Sequence, residues 1–186
     1  MSYRTAAKAA YLFACDEQAG VAKLGLQLLS DLAEKKCYLA TLNMVNLHTI
    51  GVSDEEHLAL ARMWAMRAEL LHPTLTDAED LCDAGSFCEQ YAYWLNTTER
   101  DALLFWERAA SLGSGQALWE ICEKTRDDKG TQAWVDRVAM AAALGSSDAM
   151  IELAEHDGVR GTAQESIWLR AAAALGSLRA EEMLKY

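Results

Sequence analysis

The chain has 186 residues, a formal net charge of −11, one proline and eleven glycines. Alanine and leucine account for 59 of the residues, and both are strong helix formers. This composition excludes a disordered or collagen-like chain and argues against an all-β sandwich, which needs β-branched runs and frequent turns. The excess of 28 acidic over 17 basic residues argues against binding to nucleic acid or to an anionic membrane. We therefore expect an all-α protein whose charge suits a basic protein partner.

Apolar residues recur at helical spacing along the chain and predict ten to twelve helices. Their approximate spans are 4–15, 20–35, 37–49, 54–71, 76–84, 87–96, 98–112, 115–126, 130–144, 147–156, 162–175 and 177–184. Ser53 with Glu56, and Thr98 with Asp101, have the spacing of helix N-cap signals. The Asp-Asp-Lys-Gly segment that ends at Gly130 predicts a turn. No linker divides the chain, so we predict a single domain over residues 1–186.

An internal repeat occupies the second half of the chain. The pattern Ala-Ala-x-Leu-Gly, with serine or alanine at x, ends at Gly113, Gly145 and Gly176, which are 32 and 31 residues apart. An alanine follows each glycine four residues on, and a large aliphatic residue follows eight residues on. That spacing places both on one face of a second helix. Glycine ends a helix readily because it adopts the left-handed conformation without strain, so the period predicts a two-helix unit.

Weaker copies of the repeat occupy the first half. Lys36 takes the place of the glycine in one unit, with an alanine and a methionine four and eight residues on. His72 takes that place in the next unit, where Trp64 supplies the aromatic residue. The 41 residues from His72 to Gly113 predict an insertion at about Pro73–Asp83.

The segment from Ala102 to Gly113 reads ALLFWERAASLG. It resembles the unit of the Sel-one-like repeat family, which is related to the tetratricopeptide repeat. The resemblance is clearest over residues 98–186, although Arg137 replaces the aromatic residue of one unit, and residues 1–97 are divergent. It implies an all-α, right-handed α-α superhelix, or solenoid, of about five helical hairpins plus a C-terminal capping helix. It also implies a role as a protein-binding scaffold or adaptor.

The cysteines and the N-terminus bear on location. Five cysteines without regular spacing argue against a disulfide framework, so we expect reduced thiols and a cytoplasmic location. No stretch approaches the length of a membrane span. The segment Leu12-Phe13-Ala14-Cys15 is similar to a lipoprotein cleavage site, but the apolar run before it is too short for a signal peptide. A secreted or lipid-anchored scaffold is the alternative, and it would require processing at Cys15.

The sequence contains none of the common catalytic or phosphate-binding motifs, so we predict no enzyme activity, no cofactor and no metal. His48 and His57 flank one turn and could meet in space, but no third ligand lies nearby in the sequence. A hydrolase-like enzyme is the alternative, and it would require a cysteine or glutamate with a strongly perturbed pKa in the groove.

Most aromatic residues fall at positions that predict core packing. Those assigned to the core are Trp64, Trp106, Trp168, Phe87, Tyr91 and Trp94. Trp119 differs, because it lies two residues from both Ala117 and Ile121 and is replaced by isoleucine and glutamate in the following units. We therefore predict that Trp119 lies off the core face and anchors a partner.

A ladder of carboxylates occupies matching positions in two units. Glu120 and Glu152 are 32 residues apart, as are Glu123 and Glu155, and Asp148 extends the set. The i, i+3 spacing puts each pair on one helix face, and first helices of such units usually line the concave side of a solenoid. The carboxylates predict a surface for a basic protein partner, although a solvated helix face would look the same. We thus expect an adaptor or inhibitor, such as a bacterial immunity or regulatory protein.

Overall fold

A computed structural model describes residues 2–49, 54–92, 99–125, 129–156 and 158–185. Within these ranges the regular structure consists of eleven α-helices and one 3-10 turn, His72–Thr74. The helices are α1 (Tyr3–Ala14), α2 (Ala19–Glu34), α3 (Tyr38–Leu47), α4 (Glu55–Leu71), α5 (Ala78–Gln90), α6 (Glu99–Ser111), α7 (Gly115–Lys124), α8 (Gln132–Ala143), α9 (Ser147–Glu155), α10 (Ala163–Ala174) and α11 (Leu178–Met183). The predicted all-α class is confirmed.

Helices that follow one another pack as hairpins, which confirms the predicted α-solenoid fold. In the N-terminal half α1 packs on α2, α2 on α3 and α3 on α4, and α1 also contacts α3. In the C-terminal half the same order runs from α7 to α11, and α7 also contacts α9. First helices of successive hairpins therefore lie side by side, as stacked two-helix units require.

The chain divides into two compact units. Unit 1 comprises Met1–Thr76 and Ser86–Ala102, and unit 2 comprises Asp77–Gly85 and Leu103–Tyr186. Unit 1 buries residues from α1 to α5, among them Leu29, Tyr38, Val45, Trp64 and Phe87. Unit 2 contains a continuous apolar cluster built from α7 to α11, with Trp134, Val138, Ile151 and Leu169 among its members.

The repeated glycines end their helices as predicted. Gly113, Gly145 and Gly176 have φ angles of 92°, 91° and 90°. In each case the glycine and the next residue donate hydrogen bonds back to carbonyls of the last helical turn, which is the Schellman pattern. Lys36 makes the same two-bond cap at the end of α2 with a φ of 62°. The prediction that Lys36 takes the glycine's place is confirmed.

The equivalent prediction for His72 is wrong. His72 has a φ of −49° and opens the 3-10 turn His72–Thr74, so the chain leaves α4 without a left-handed cap. Pro73 explains the difference, because proline fixes φ near the helical value and suits the first position of a new helical turn. His72 also contacts Tyr38, whose hydroxyl lies 3.0 Å from His72 Nε2.

The predicted break between helices 76–84 and 87–96 is wrong, because α5 runs without interruption over Ala78–Gln90. Residues 93–96 of the second predicted helix lie outside the described residues. The predicted insertion Pro73–Asp83 forms the 3-10 turn and the first part of α5. Gly85 lies inside α5, where a Cβ would collide with the indole of Trp106. Its lack of a side chain therefore serves close packing and does not end a helix.

The predicted N-cap signals and the predicted turn before Gly130 lie only partly within the described residues. The N-cap of α4 is Asp54, whose side chain accepts from the His57 N–H at 3.0 Å. Ser53, Trp94, Thr98 and the pair Asp127–Asp128 lie outside the described residues. In the part of the chain that is described, every helix is too short or too polar to cross a bilayer.

A candidate partner-binding surface on α7 and α9

The predicted carboxylates lie on two neighbouring helices of unit 2. Glu120 belongs to α7 and Asp148 to the first turn of α9. Gln116 joins them, because its side-chain amide donates to Glu120 Oε1 at 2.9 Å and to Asp148 Oδ2 at 3.2 Å. The side-chain oxygen Oε1 of Gln116 accepts a hydrogen bond from the hydroxyl of Ser146 at 3.2 Å. This network holds α7 and α9 in register, so the two polar faces adjoin.

A cleft of about 390 Å³ lies beside the end of α9. It is lined by Lys129, Gly130, Trp134, Glu152, Glu155 and His156. Lys129 Nζ lies 2.5 Å from Glu152 Oε1 and 5.2 Å from the centroid of the Trp134 ring. A cation over an aromatic face is attracted by the negative charge of that face. The cleft therefore binds an ammonium group that belongs to the chain itself.

Glu155 is also paired within unit 2. Arg179 Nη2 lies 2.8 and 2.9 Å from the two carboxylate oxygens of Glu155. The Arg179 and Glu155 side chains are 63% and 39% exposed, and such surface pairs contribute about 0–1 kcal/mol. The acidic face is thus partly neutralised, at a strength that a partner's cations can compete with.

Glu123 and Trp119 occupy less accessible positions. Glu123 is half-buried on α7. Trp119 is only 9% exposed and belongs to the apolar cluster of unit 2, so the prediction that it lies off the core face is wrong. The reason is that α7 packs against both α8 and α9, and a helix with two covered sides buries positions that a one-sided helix would expose.

Trp134 is a core residue that the aromatic position of the repeat does not predict. The unit that carries Arg137 in place of the aromatic residue has Trp134 one helical turn earlier, and that tryptophan is 1% exposed. Its indole Nε1 is buried and has no hydrogen-bond partner. The signal available in the sequence was a large residue three positions before the expected one, which keeps the same helix face.

The remaining aromatic predictions are mostly confirmed. Trp64, Trp106, Phe87 and Tyr91 are buried, and Trp168 is partly buried against the cluster of unit 2. The predicted helix faces therefore point inward as the repeat requires.

The cysteine side chains differ in their exposure to solvent. All five cysteines lie in the described ranges as thiols outside disulfides, with Cys15 exposed and the other four buried. Burial, aided by the charges of Asp101 and Glu69, raises the pKa of Cys88 to about 12. A reactive cysteine needs the opposite shift, so Cys88 is held as a neutral, apolar side chain.

The histidines His48 and His57 meet, as their positions around one turn suggested. Their Nδ1 atoms are 3.4 Å apart, and the rings stand edge to face with centroids 5.3 Å apart. Burial and the neighbouring His57 lower the pKa of His48. Within the described ranges, no three or more histidine, cysteine, aspartate or glutamate residues converge as a metal-ion cluster.

Stacked hairpins and left-handed caps at a period of about 32 residues define a helical-repeat protein of the α-solenoid class. Among solved structures, the fold is similar to the crystal structure of a Sel1 repeat protein from Oxalobacter formigenes, with a TM-score of 0.57 and 17% sequence identity. The similarity covers 96% of this chain and 75% of that one. No family model and no curated protein matches the sequence. The resemblance drawn from the repeat motif is thus confirmed at the level of the fold.

Proposed function

We propose that this chain is a non-enzymatic adaptor or inhibitor that binds one protein partner with a basic surface. Helical-repeat solenoids present broad surfaces of stacked helices that suit protein binding. The acidic side chains of α7 and α9 form the contact surface in this proposal, with Glu120, Glu123, Asp148, Glu152 and Glu155 as its members. Trp119, which is buried, would contribute indirectly by holding α7 in position.

The observation that carries the proposal is the pairing of Lys129 with Glu152 over the Trp134 ring. An internal lysine already uses a carboxylate and an aromatic face in the way that a partner's lysine or arginine would use them. Because surface ion pairs are weak, a partner that offers several cations in register can displace Lys129 at little cost. The Gln116 bridge keeps Glu120 and Asp148 in place for that partner.

We further propose a single domain over residues 1–186 in the bacterial cytoplasm, where free thiols remain reduced. An immunity protein against a basic toxin and a regulatory protein are the two forms of the role that fit an acidic surface. Intact-mass measurement of the native protein tests the location, since a lipid-anchored form would lack the residues before Cys15 and carry added lipid mass.

The first experiment is affinity purification of the tagged chain from its native host, followed by mass spectrometry. A basic protein recovered at one-to-one ratio is expected. Recovery of no stoichiometric protein, together with turnover of a small molecule, would replace the proposal with the hydrolase alternative.

The second experiment measures the affinity of that partner for charge variants. Glu120→Lys combined with Glu152→Lys is expected to weaken binding at least about tenfold, because both attractions become repulsions. Glu17→Lys combined with Glu107→Lys is the matched control, since it changes net charge equally at exposed positions outside α7 and α9. Circular dichroism checks that both variants stay helical. Equal weakening of binding by both pairs of substitutions would contradict the proposal that α7 and α9 carry the contact surface.

Lys129→Met adds a test in the opposite direction. Removing the internal cation frees Glu152 and the Trp134 face, so the variant should bind the partner more tightly, by roughly two- to tenfold. Weaker binding would mean that Lys129 itself contacts the partner.

A further inference from the structure

The histidine pair lies in a cavity of its own in unit 1. His48 follows α3 as its C-cap residue, and His57 lies in the first turn of α4. The His57 N–H donates a hydrogen bond to the Asp54 side chain, and this N-cap fixes the backbone of that turn. Both rings line a cavity of about 300 Å³ whose other walls are Ala14, Ala22, Lys23, Leu26 and Leu47. The two imidazoles therefore supply the ring nitrogens of a largely apolar cavity.

The separation of the two nitrogens is compatible with a long hydrogen bond and also with two ligands of one metal ion. At 3.4 Å, the Nδ1 atoms are farther apart than the roughly 2.7–3.2 Å of common protein hydrogen bonds from nitrogen. Zinc binds imidazole nitrogen at about 2.0–2.1 Å in tetrahedral geometry. Two such ligands are then about 3.3–3.4 Å apart, which is the separation found. The observed separation therefore suits one ion bound to both nitrogens.

We propose that His48 and His57 form a two-histidine site for a divalent cation of the zinc class, bound through both Nδ1 atoms. Imidazole prefers zinc, copper and nickel over magnesium and calcium. The chain supplies two ligands, and water fills the remaining positions of the tetrahedron. The proposal goes beyond the acidic surface of unit 2 and does not depend on it.

The protons balance without an additional reagent. In the metal-free pair, the two Nδ1 atoms form a long hydrogen bond whose donor depends on the tautomer. Binding requires a lone pair on both atoms, so the donating ring changes tautomer and its proton passes through water from Nδ1 to Nε2. The proton moves from Nδ1 to Nε2 of the same ring, so the change of tautomer releases none.

Lys23 is the charged residue in the cavity wall, and it opposes a cation. Its side chain is exposed, so its ammonium group can extend into water and its repulsion is screened. Replacing it removes a repulsive charge, and Lys23→Gln should tighten zinc binding by roughly two- to tenfold. This variant leaves both ligands in place.

The experiment is a calorimetric titration of the full chain with zinc chloride alone. One site per chain is expected, and His48→Gln and His57→Gln should each weaken it roughly tenfold or more, as expected for loss of a direct ligand. His156→Gln, in unit 2, is the matched control and should leave the affinity unchanged. Circular dichroism confirms folding of each variant.

Nitrogen NMR of the imidazoles supplies a readout that a folding defect would not produce. One equivalent of zinc should shift the Nδ1 signals of His48 and His57 and leave those of His72 and His156 in place. Cys15 is exposed and adjoins Ala14 of the cavity wall, so Cys15→Ser separates binding by the thiol. Binding that survives in the double variant His48→Gln with His57→Gln, or that disappears in Cys15→Ser, would overturn the proposal.

Discussion

Lys36 shows how a repeat can impose a backbone conformation on an unsuitable residue. Its φ of 62° matches the left-handed caps that Gly113, Gly145 and Gly176 provide elsewhere. A residue with a Cβ is disfavoured there by roughly 1–2 kcal/mol. The hairpin nevertheless forms, because the two cap hydrogen bonds and the packing of α2 on α3 outweigh that strain.

Lys36→Gly is therefore expected to stabilise the protein. Relief of the strain exceeds the entropy that glycine adds to the unfolded chain, and the free energy of unfolding should rise by about 0.5–1 kcal/mol. Urea denaturation followed by circular dichroism measures it. Gly145→Ala, the reverse change at an equivalent cap, should lower stability by about 1 kcal/mol. A loss of stability in Lys36→Gly would mean that the lysine side chain makes a contact worth more than the strain.

His72 makes the stability of the protein depend on pH. Burial lowers its pKa from 6.5 to about 4, so the unfolded chain binds more protons than the folded one between these values. Stability should then be constant with respect to this group above pH 6.5 and should fall as the pH drops towards 4. His48, whose pKa is also lowered, adds to the trend in the same direction.

Urea denaturation at pH 7.5, 6 and 5 checks this dependence. His72→Gln should reduce the loss of stability between pH 7.5 and 5, because glutamine does not titrate. An unchanged slope in His72→Gln would show that His72 titrates alike in both states.

At the scale of elements, the sequence predicted the hairpins well where the repeat is regular. The period of alanine pairs and glycine gave the helix ends in unit 2, because left-handed caps depend on local chemistry alone. The prediction of two helices failed at α5. Glycine usually interrupts a helix, but Gly85 lies within α5, where its lack of a side chain makes room for the distant Trp106. The prediction from sequence also failed at Trp119, because burial there depends on α9 covering α7. Local signals could be predicted, whereas contacts between units of the repeat could not.

Close approach of α1 and α2 gives a prediction at the same scale. A Cβ on Gly25 of α2 would lie 2.7 Å from the Ala10 carbonyl oxygen of α1 and would also collide with the Ala14 backbone nitrogen. Backbone atoms cannot turn aside as a side chain can, so Gly25→Ala should lower the free energy of unfolding by about 2–3 kcal/mol.

Gly20 supplies the matched control within the same helix. A Cβ there would have no neighbour within 4 Å, and alanine favours helix, so Gly20→Ala should be neutral or stabilising by up to about 1 kcal/mol. Thermal denaturation of the two variants compares them directly. Similar melting temperatures would mean that α1 and α2 separate easily, contrary to their close packing.

For the whole molecule, the net charge of −11 acts in two ways that can be separated. Spread evenly, it would attract any basic protein from a distance and keep the chain soluble. Concentrated on α7 and α9, it would also fix where the partner docks. The cations Lys129 and Arg179 reduce the local charge of that face, so net charge alone does not favour it.

The salt dependence of association with the proposed partner distinguishes these cases. The association rate should fall as ionic strength rises, because the screening length shortens to about 10 Å at 0.1 M. Glu120→Lys with Glu152→Lys should lose most of that dependence, while Glu17→Lys with Glu107→Lys, at equal net charge, should retain most of it. Stopped-flow mixing at 0.02 and 0.3 M salt gives the rates. If both pairs lose the dependence equally, steering comes from total charge, and the carboxylates of α7 and α9 do not form the docking surface.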